Sequence, residues 1–169
     1  MTETVQEYVQ RIQGKLAGQD PIKVQATTAK KLAKLLHAKS AAQLRKRLAP
    51  EKWSASEILA HLADSEIVLS WRIRSILGAP GTPIQAFDQN AWATSGHYDK
   101  RDARKSLEQF RVLRETNLVL LKSLSPDQWK HYGLHAERGE ESIERLVTLM
   151  AGHDLNHLEQ LQALLSPKS

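Results

Sequence analysis

The chain contains no cysteine, which excludes disulfide bridges, thiolate metal ligands and a cysteine nucleophile. Any thiol chemistry must therefore draw its thiol from a substrate. No apolar run approaches the roughly 18 residues of a membrane-crossing helix, and the first residues lack a signal-peptide core, so a cytoplasmic protein is expected. Glycine is scarce, at 8 of 169 residues, and no stretch shows strand-like alternation or an internal repeat. Leu, Ala, Lys, Gln and Glu are abundant instead, and these are good helix formers. A length of 169 residues with 41% hydrophobic residues is enough for one sizeable core, so a single domain over residues 1–169 is expected.

Positive charge is concentrated at one end. Residues 1–55 hold 11 Lys or Arg against 4 Asp or Glu, whereas residues 56–169 hold 13 against 15. Lys30, Lys31 and Lys34, with Arg45, Lys46 and Arg47, could line a phosphate-binding surface. No aromatics interleave with them for base stacking, so the solvated face of a helix is the expected role and nucleic acid is not an expected partner.

Helix signals dominate the pass along the chain. Val5, Tyr8, Val9, Ile12 and Leu16 mark a first helix ending near Gly18; Asp20-Pro21 then supplies an N-cap and an N1 proline for a helix to about Ala38. Ser40 with Gln43, and Ser54 with Glu57, read as capping boxes. Trp53 and Ile58 are spaced as a hydrophobic staple around the second box, which opens a helix to Leu77 and Gly78. The connection over 79–98 carries Phe87, Asp88, Trp92 and His97 and is expected to pack across one end of a bundle. Asp99 is expected to cap a helix ending near Leu124, Ser125-Pro126 to open a short one, and a polar stretch to lead into a last helix over about Ser142–Leu165. Four long helices with two crossover connections of about 20 residues fit an all-α four-helix bundle with short extra helices.

Three histidines are the residues best suited to chemistry. His153 and His157 stand four apart on a stripe with Leu146, Leu149, Met150, Leu161 and Leu164, so their rings share a helix face. His61 follows Ile58 by one turn and faces the core in the same way. Unpartnered buried imidazoles cost about 1–3 kcal/mol each, and one divalent ion would satisfy all three. Three imidazoles suit zinc, nickel, iron or copper and leave a fourth position open, as catalytic sites require. The zincin motif fits less well, since Asp154 follows the first histidine where that motif has a glutamate base. Asp64, Asp154, Asn156 and Gln160 are candidates to support the ligands from behind. His97, His131 and His135 fall on connections that could border the opening.

Around these residues the chain resembles the DinB-like superfamily, the group that includes the YfiT-like metal-dependent hydrolases. The resemblance rests on Trp53-Ser54-Ala55-Ser56-Glu57-Ile58-Leu59-Ala60-His61-Leu62-Ala63-Asp64-Ser65-Glu66, on Phe87-Asp88 with Trp92, and on Gly152-His153-Asp154-Leu155-Asn156-His157-Leu158-Glu159-Gln160-Leu161. It implies an up-down-down-up four-helix bundle and a divalent ion at His61, His153 and His157. It also implies chemistry of the thiol S-transferase, isomerase or hydrolase kind on a small-molecule substrate, with a homodimer as a common assembly. The expectation is a metal-dependent enzyme that activates water or a low-molecular-weight thiol; the alternative is a non-catalytic binding domain whose ion only stabilises the bundle.

Overall fold

In the computed structural model, residues 3–166 are described. Eight helices begin directly after a Ser, Thr or Asp whose side chain accepts a hydrogen bond from a first-turn backbone N–H. They are α1 (Val5–Gly14), α2 (Pro21–Leu36), α3 (Ala41–Arg45), α4 (Ala55–Gly78), α5 (Gln89–Ser95), α6 (Ala103–Ser123), α7 (Pro126–Lys130) and α8 (Ile143–Leu165). The expected caps Asp20, Ser40, Ser54 and Ser125 all hold. Trp53 and Ile58 also meet in one apolar cluster, as the staple requires.

The cap of α6 is corrected from Asp99 to Asp102, which accepts from the Arg104 and Lys105 N–H groups at 2.9 Å each. Asp99 instead lies in a 3₁₀ turn, Tyr98–Lys100. The buried Tyr98 hydroxyl donates to Asp64 at 2.9 Å and holds that turn against α4.

The four long helices α2, α4, α6 and α8 form the bundle. One apolar cluster joins Leu32 and Leu36 near the end of α2 to Ile58, Leu59 and Leu62 near the start of α4. It also takes in Ala103 and Phe110 from the start of α6 and Leu158, Leu161 and Leu165 from the end of α8. At the opposite end Ile22, Ile73, Ile76, Leu121, Ile143 and Leu146 pack together. The run is therefore up-down-down-up, with α4 and α6 parallel. Parallel neighbours oblige the connection between them to travel back along the bundle. Ile84 joins the far cluster, Phe87 reaches His61 and Tyr98 reaches Trp53, so the connection runs the length of α4 rather than across one end.

A small sheet departs from the expected absence of strands. It comprises β1 (Pro83–Ile84), β2 (Tyr132–His135) and β3 (Gly139–Ser142). β1 pairs in parallel with β2, and β2 forms an antiparallel hairpin with β3 in which Tyr132 opposes Ser142 and His135 opposes Gly139. The hairpin turns through Gly139 at φ +71°, a left-handed conformation that glycine adopts without strain.

The bundle's centre holds a buried polar cluster. Arg114 on α6, 1% exposed, binds Asp154 of α8 at 2.5 and 3.1 Å and Glu66 of α4 at 2.7 and 2.9 Å. It also donates to the Gln25 carbonyl of α2, while Asn117 donates to Glu66. One guanidinium thus ties together all four long helices. Burial works against its charge, but Asp154 and Glu66 more than offset that and hold Arg114 above its ordinary pKa.

Candidate metal centre

Capping of α4 at Ser54 sets the position of His61 two turns later. The α8 stripe sets His153 and His157 one turn apart. The two helices bring these rings together in the core. His61 Nε2 lies 2.9 Å from His153 Nε2, and His157 Nε2 lies 3.1 Å from the same atom. All three residues are buried, at 1%, 8% and 7% exposure for His61, His153 and His157.

Three nitrogens so close suit a shared cation better than a set of hydrogen bonds. His157 Nδ1 lies 2.8 Å from Gln160 Oε1, an acceptor, so that nitrogen carries the proton and Nε2 presents its lone pair to the cluster. A single N–H on His153 Nε2 can fully serve only one of its two contacts, leaving the other lone pair against lone pair. An ion about 2.0–2.1 Å from each nitrogen in tetrahedral geometry would separate them by about 3.3 Å, close to the spacing observed. The donor set fits a divalent transition metal.

Electrostatics favour the neutral rings that a metal requires. Burial, followed by the neighbouring His157 ring, pulls His61 down to about 3. Burial also lowers His157, to about 4, although Gln160 opposes it. His153 is pulled well below the ordinary value by burial and then by the other two rings. Aromatic neighbours complete the environment: Phe87 stacks parallel to His61 at 6.0 Å and Trp53 lies tilted at 5.1 Å.

Of the four supporting candidates, only Gln160 touches a histidine. Asp154 turns to Arg114, Asp64 accepts from Tyr98 and from Arg101 at 2.8 Å, and Asn156 accepts from Arg11 at 3.2 Å. His97 sits in the left-handed conformation before the 3₁₀ turn, and His131 closes α7. His135 is buried on β2, with Arg72 at 3.5 Å. None of these three histidines joins the cluster. Lys30, Lys31 and Lys34 are exposed along α2, as a solvated face requires.

A cavity of about 380 Å³ opens over the cluster, with His61 and His153 in its wall. Ser65, one turn after His61, places its hydroxyl 3.5 Å from His61 Nε2. Val68, Leu69, Leu146, Leu149, Met150 and Phe87 make an apolar lining, while Arg72 and Arg138 supply positive charge and Glu3, Asp88 and Glu137 negative charge. Ser65 and Arg72 were legible in principle, since they share the His61 face at spacings of four and eleven. Arg138 arrives from the hairpin and has no such signal.

With this geometry in place, comparison with known proteins gives a consistent result. The model of the DinB superfamily matches residues 26–161. Two proteins of Oceanobacillus iheyensis, both named "Putative metal-dependent hydrolase", are 27% and 25% identical over 116 and 127 residues. Those alignments cover 69% and 75% of this chain and 67% and 73% of the relatives. The structure of YfiT from Bacillus subtilis, described as "a probable metal-dependent hydrolase with an unusual four-helix bundle topology", superposes with a TM-score of 0.76 at 22% identity, covering 85% of this chain and 84% of that one. A mycothiol-dependent maleylpyruvate isomerase shares the fold at a TM-score of 0.65 and 17% identity, over 83% of this chain and 59% of its own. The match of the family model across most of the chain, together with a bundle of the YfiT kind, makes this chain a member of the DinB superfamily.

Proposed function

We propose that this chain is a divalent-metal-dependent enzyme of the hydrolase or thiol S-transferase type, with the ion held by His61, His153 and His157 and its remaining position facing the cavity. The observation that carries this reading is the convergence of three buried Nε2 atoms, 2.9 and 3.1 Å apart in sequence of contact, at the wall of a 380 Å³ cavity. Zinc, nickel or iron fits the donor set. When bound, such an ion supplies Lewis acidity and a lowered pKa for a water or thiol that it meets.

The chain's own residues divide the remaining work. Gln160 fixes the tautomer of His157. Phe87 and the leucines of α8 keep the cavity apolar, which strengthens any charge interaction inside it. Ser65 offers a hydroxyl to a substrate atom beside His61. The buried helix acids Asp154, Glu66 and Asp64 are all engaged by arginines, so none of these three is free to act as a zincin-type base, whereas Asp88 and Glu137 on the cavity wall are not held in this way. An ionised thiol would need no separate base, whereas a water would have the carboxylates of the cavity wall. Without cysteine in the chain, the thiol comes from a small-molecule cosubstrate. The relatives named "Putative metal-dependent hydrolase" support the hydrolase class, and the mycothiol-dependent isomerase that shares the fold supports a thiol cosubstrate.

Exposed Trp71 and Ile67 on α4, and Val112 and Val119 on α6, are apolar side chains that a homodimer would cover. No described helix is long and apolar enough to cross a membrane.

The test is a screen of metal-loaded protein against low-molecular-weight thiols with electrophiles, and against activated esters and amides. Turnover that depends on added metal and disappears in His153→Ala is expected. No turnover across the panel, together with a fourth coordination position closed by a protein side chain, would favour the structural-ion alternative.

A further inference from the structure

Arg72 is a cation without a counter-ion. Among the described residues it forms no ion pair. Its Nη2 donates to the Gln85 carbonyl at 2.6 Å and lies 3.5 Å from His135 Nε2, while its Nε is buried with no partner. Arg138, on the same cavity wall, repeats the pattern: Nη2 donates to Glu141 at 3.0 Å, and Nε is buried with no partner. Glu141 is also shared with Arg145 at 3.1 Å, so one carboxylate serves two guanidiniums while Arg72 has none. Burial and then the charge of Arg138 bring Arg72 down to about 10, with the more distant charge of Glu141 opposing them. The acids on the cavity wall do not relieve this imbalance. Glu3 is held by Arg11, Asp88 caps α5, and Glu137 is exposed.

The position of Arg72 relative to the histidines gives the pair a purpose. His61, Ser65, Val68, Leu69 and Arg72 follow one another along one face of α4, and all five line the cavity. Eleven residues of helix rise span about 16 Å. Between the two lie Val68, Leu69, Leu146, Leu149 and Met150, all apolar.

We propose that Arg72 and Arg138 form a clamp for a carboxylate on the substrate, whose reactive end reaches the histidine cluster past an apolar middle. The forked N–H groups of a guanidinium match a planar carboxylate, and two guanidiniums on one cavity wall that share a single carboxylate, Glu141, leave positive charge there for one such group. The substrate class is therefore a small acid with its carboxylate remote from the scissile or electrophilic atom. This deepens the proposed function and rests on its assumption that the cavity is the substrate site.

Calorimetric titration of zinc-loaded protein with octanoate, octanamide and inorganic phosphate tests the clamp without any turnover assay. Octanoate is expected to bind at least about ten-fold more tightly than octanamide, since a charge-assisted pair is lost in the amide. Arg72→Gln should abolish that preference, and Arg138→Gln should reduce it, with zinc content unchanged in both. In cobalt-loaded protein the visible spectrum should not move on adding octanoate, as it would if the carboxylate sat on the metal. Equal octanoate binding by wild type and Arg72→Gln would overturn the clamp while leaving the metal reading intact. Absence of zinc from the wild type would strike the metal reading but not the clamp. Phosphate binding as tightly as octanoate would overturn the assignment to an acid with an apolar body. If Arg72→Gln fails to fold, the wild-type ratio decides: octanoate and octanamide binding alike would overturn the proposal.

Discussion

Arg114 sits at the centre of the bundle, where its pairs with Asp154 and Glu66 are almost wholly shielded from water, the side chains being 2%, 0% and 0% exposed. Truncation there removes the positive member and leaves two carboxyl groups buried without it. Arg114→Ala is expected to cost about 3–5 kcal/mol in denaturant unfolding; a loss below 1 kcal/mol would mean that water or a neighbour rescues the carboxyls. The same cluster explains which site residues could be read in advance. His61, His153 and His157 were legible because each sits on a periodic apolar stripe, and two of them are four residues apart. Asp154 and Asp64 were not assignable, because their partners Arg114 and Arg101 lie 40 and 37 residues away in sequence. Gln160 could be placed, because its partner His157 is only three residues distant.

At the scale of single elements, α4 and α8 carry the site, and each has one position that sets it. Ser54 accepts from the Glu57 N–H and Glu57 reaches back to the Ser54 N–H, closing the first turn of α4. Ser54→Ala should lower stability by about 0.5–2 kcal/mol while retaining metal, since the change lies two turns from His61. Full stability combined with metal loss would contradict this division between cap and site. On α8, Gly152 lets α1 approach: an added Cβ would stand 2.0 Å from the Ile12 carbonyl oxygen, a backbone atom that cannot swing aside. Gly152→Ala should therefore displace α1, which carries Val5 and Tyr8 of the cavity wall, and cost about 1–3 kcal/mol. Unchanged melting and unchanged protease sensitivity of α1 would refute the close contact.

Helix starts were readable because capping is local chemistry. The sheet was not, because its pattern is inverted: Gly133 and His135 face inward on β2 while Tyr132 and Leu134 are exposed. Glu141, buried on β3, deepens the disguise. Asp99 was mistaken for the α6 cap because Asp102, three residues on, offers the same side chain; only the Tyr98 anchor to Asp64 decides between them.

For the whole molecule, the four-helix bundle followed from the lengths and faces of the helices. The parallel course of α4 and α6 did not follow from periodicity and came with the family resemblance. What the fold achieves is to bury three imidazoles together, and that ties stability to pH. In the unfolded chain each histidine protonates near 6.5, whereas His61 and His157 in the fold are pushed to about 3 and 4 and His153 well below its ordinary value. The unfolded chain thus binds more protons at mildly acidic pH. The histidine contribution is fully present above about pH 6.5 and declines as pH falls toward 4. Melting temperatures of chelator-treated protein should drop steadily between pH 7 and 5, and those of metal-loaded protein should be higher throughout and fall as protons compete for the ligands. A melting temperature independent of both pH and metal would separate the cluster from the fold's stability.

The most direct measurement is the metal content of protein purified without a chelating tag, set beside the same measurement on His61→Ala, His153→Ala and His157→Ala. Close to one divalent transition metal per chain is expected in the wild type, with a sharp fall in each variant, because in the proposed site the three clustered nitrogens hold one ion together. Wild-type content in all three variants, each correctly folded, would contradict the assignment of these histidines as the metal site.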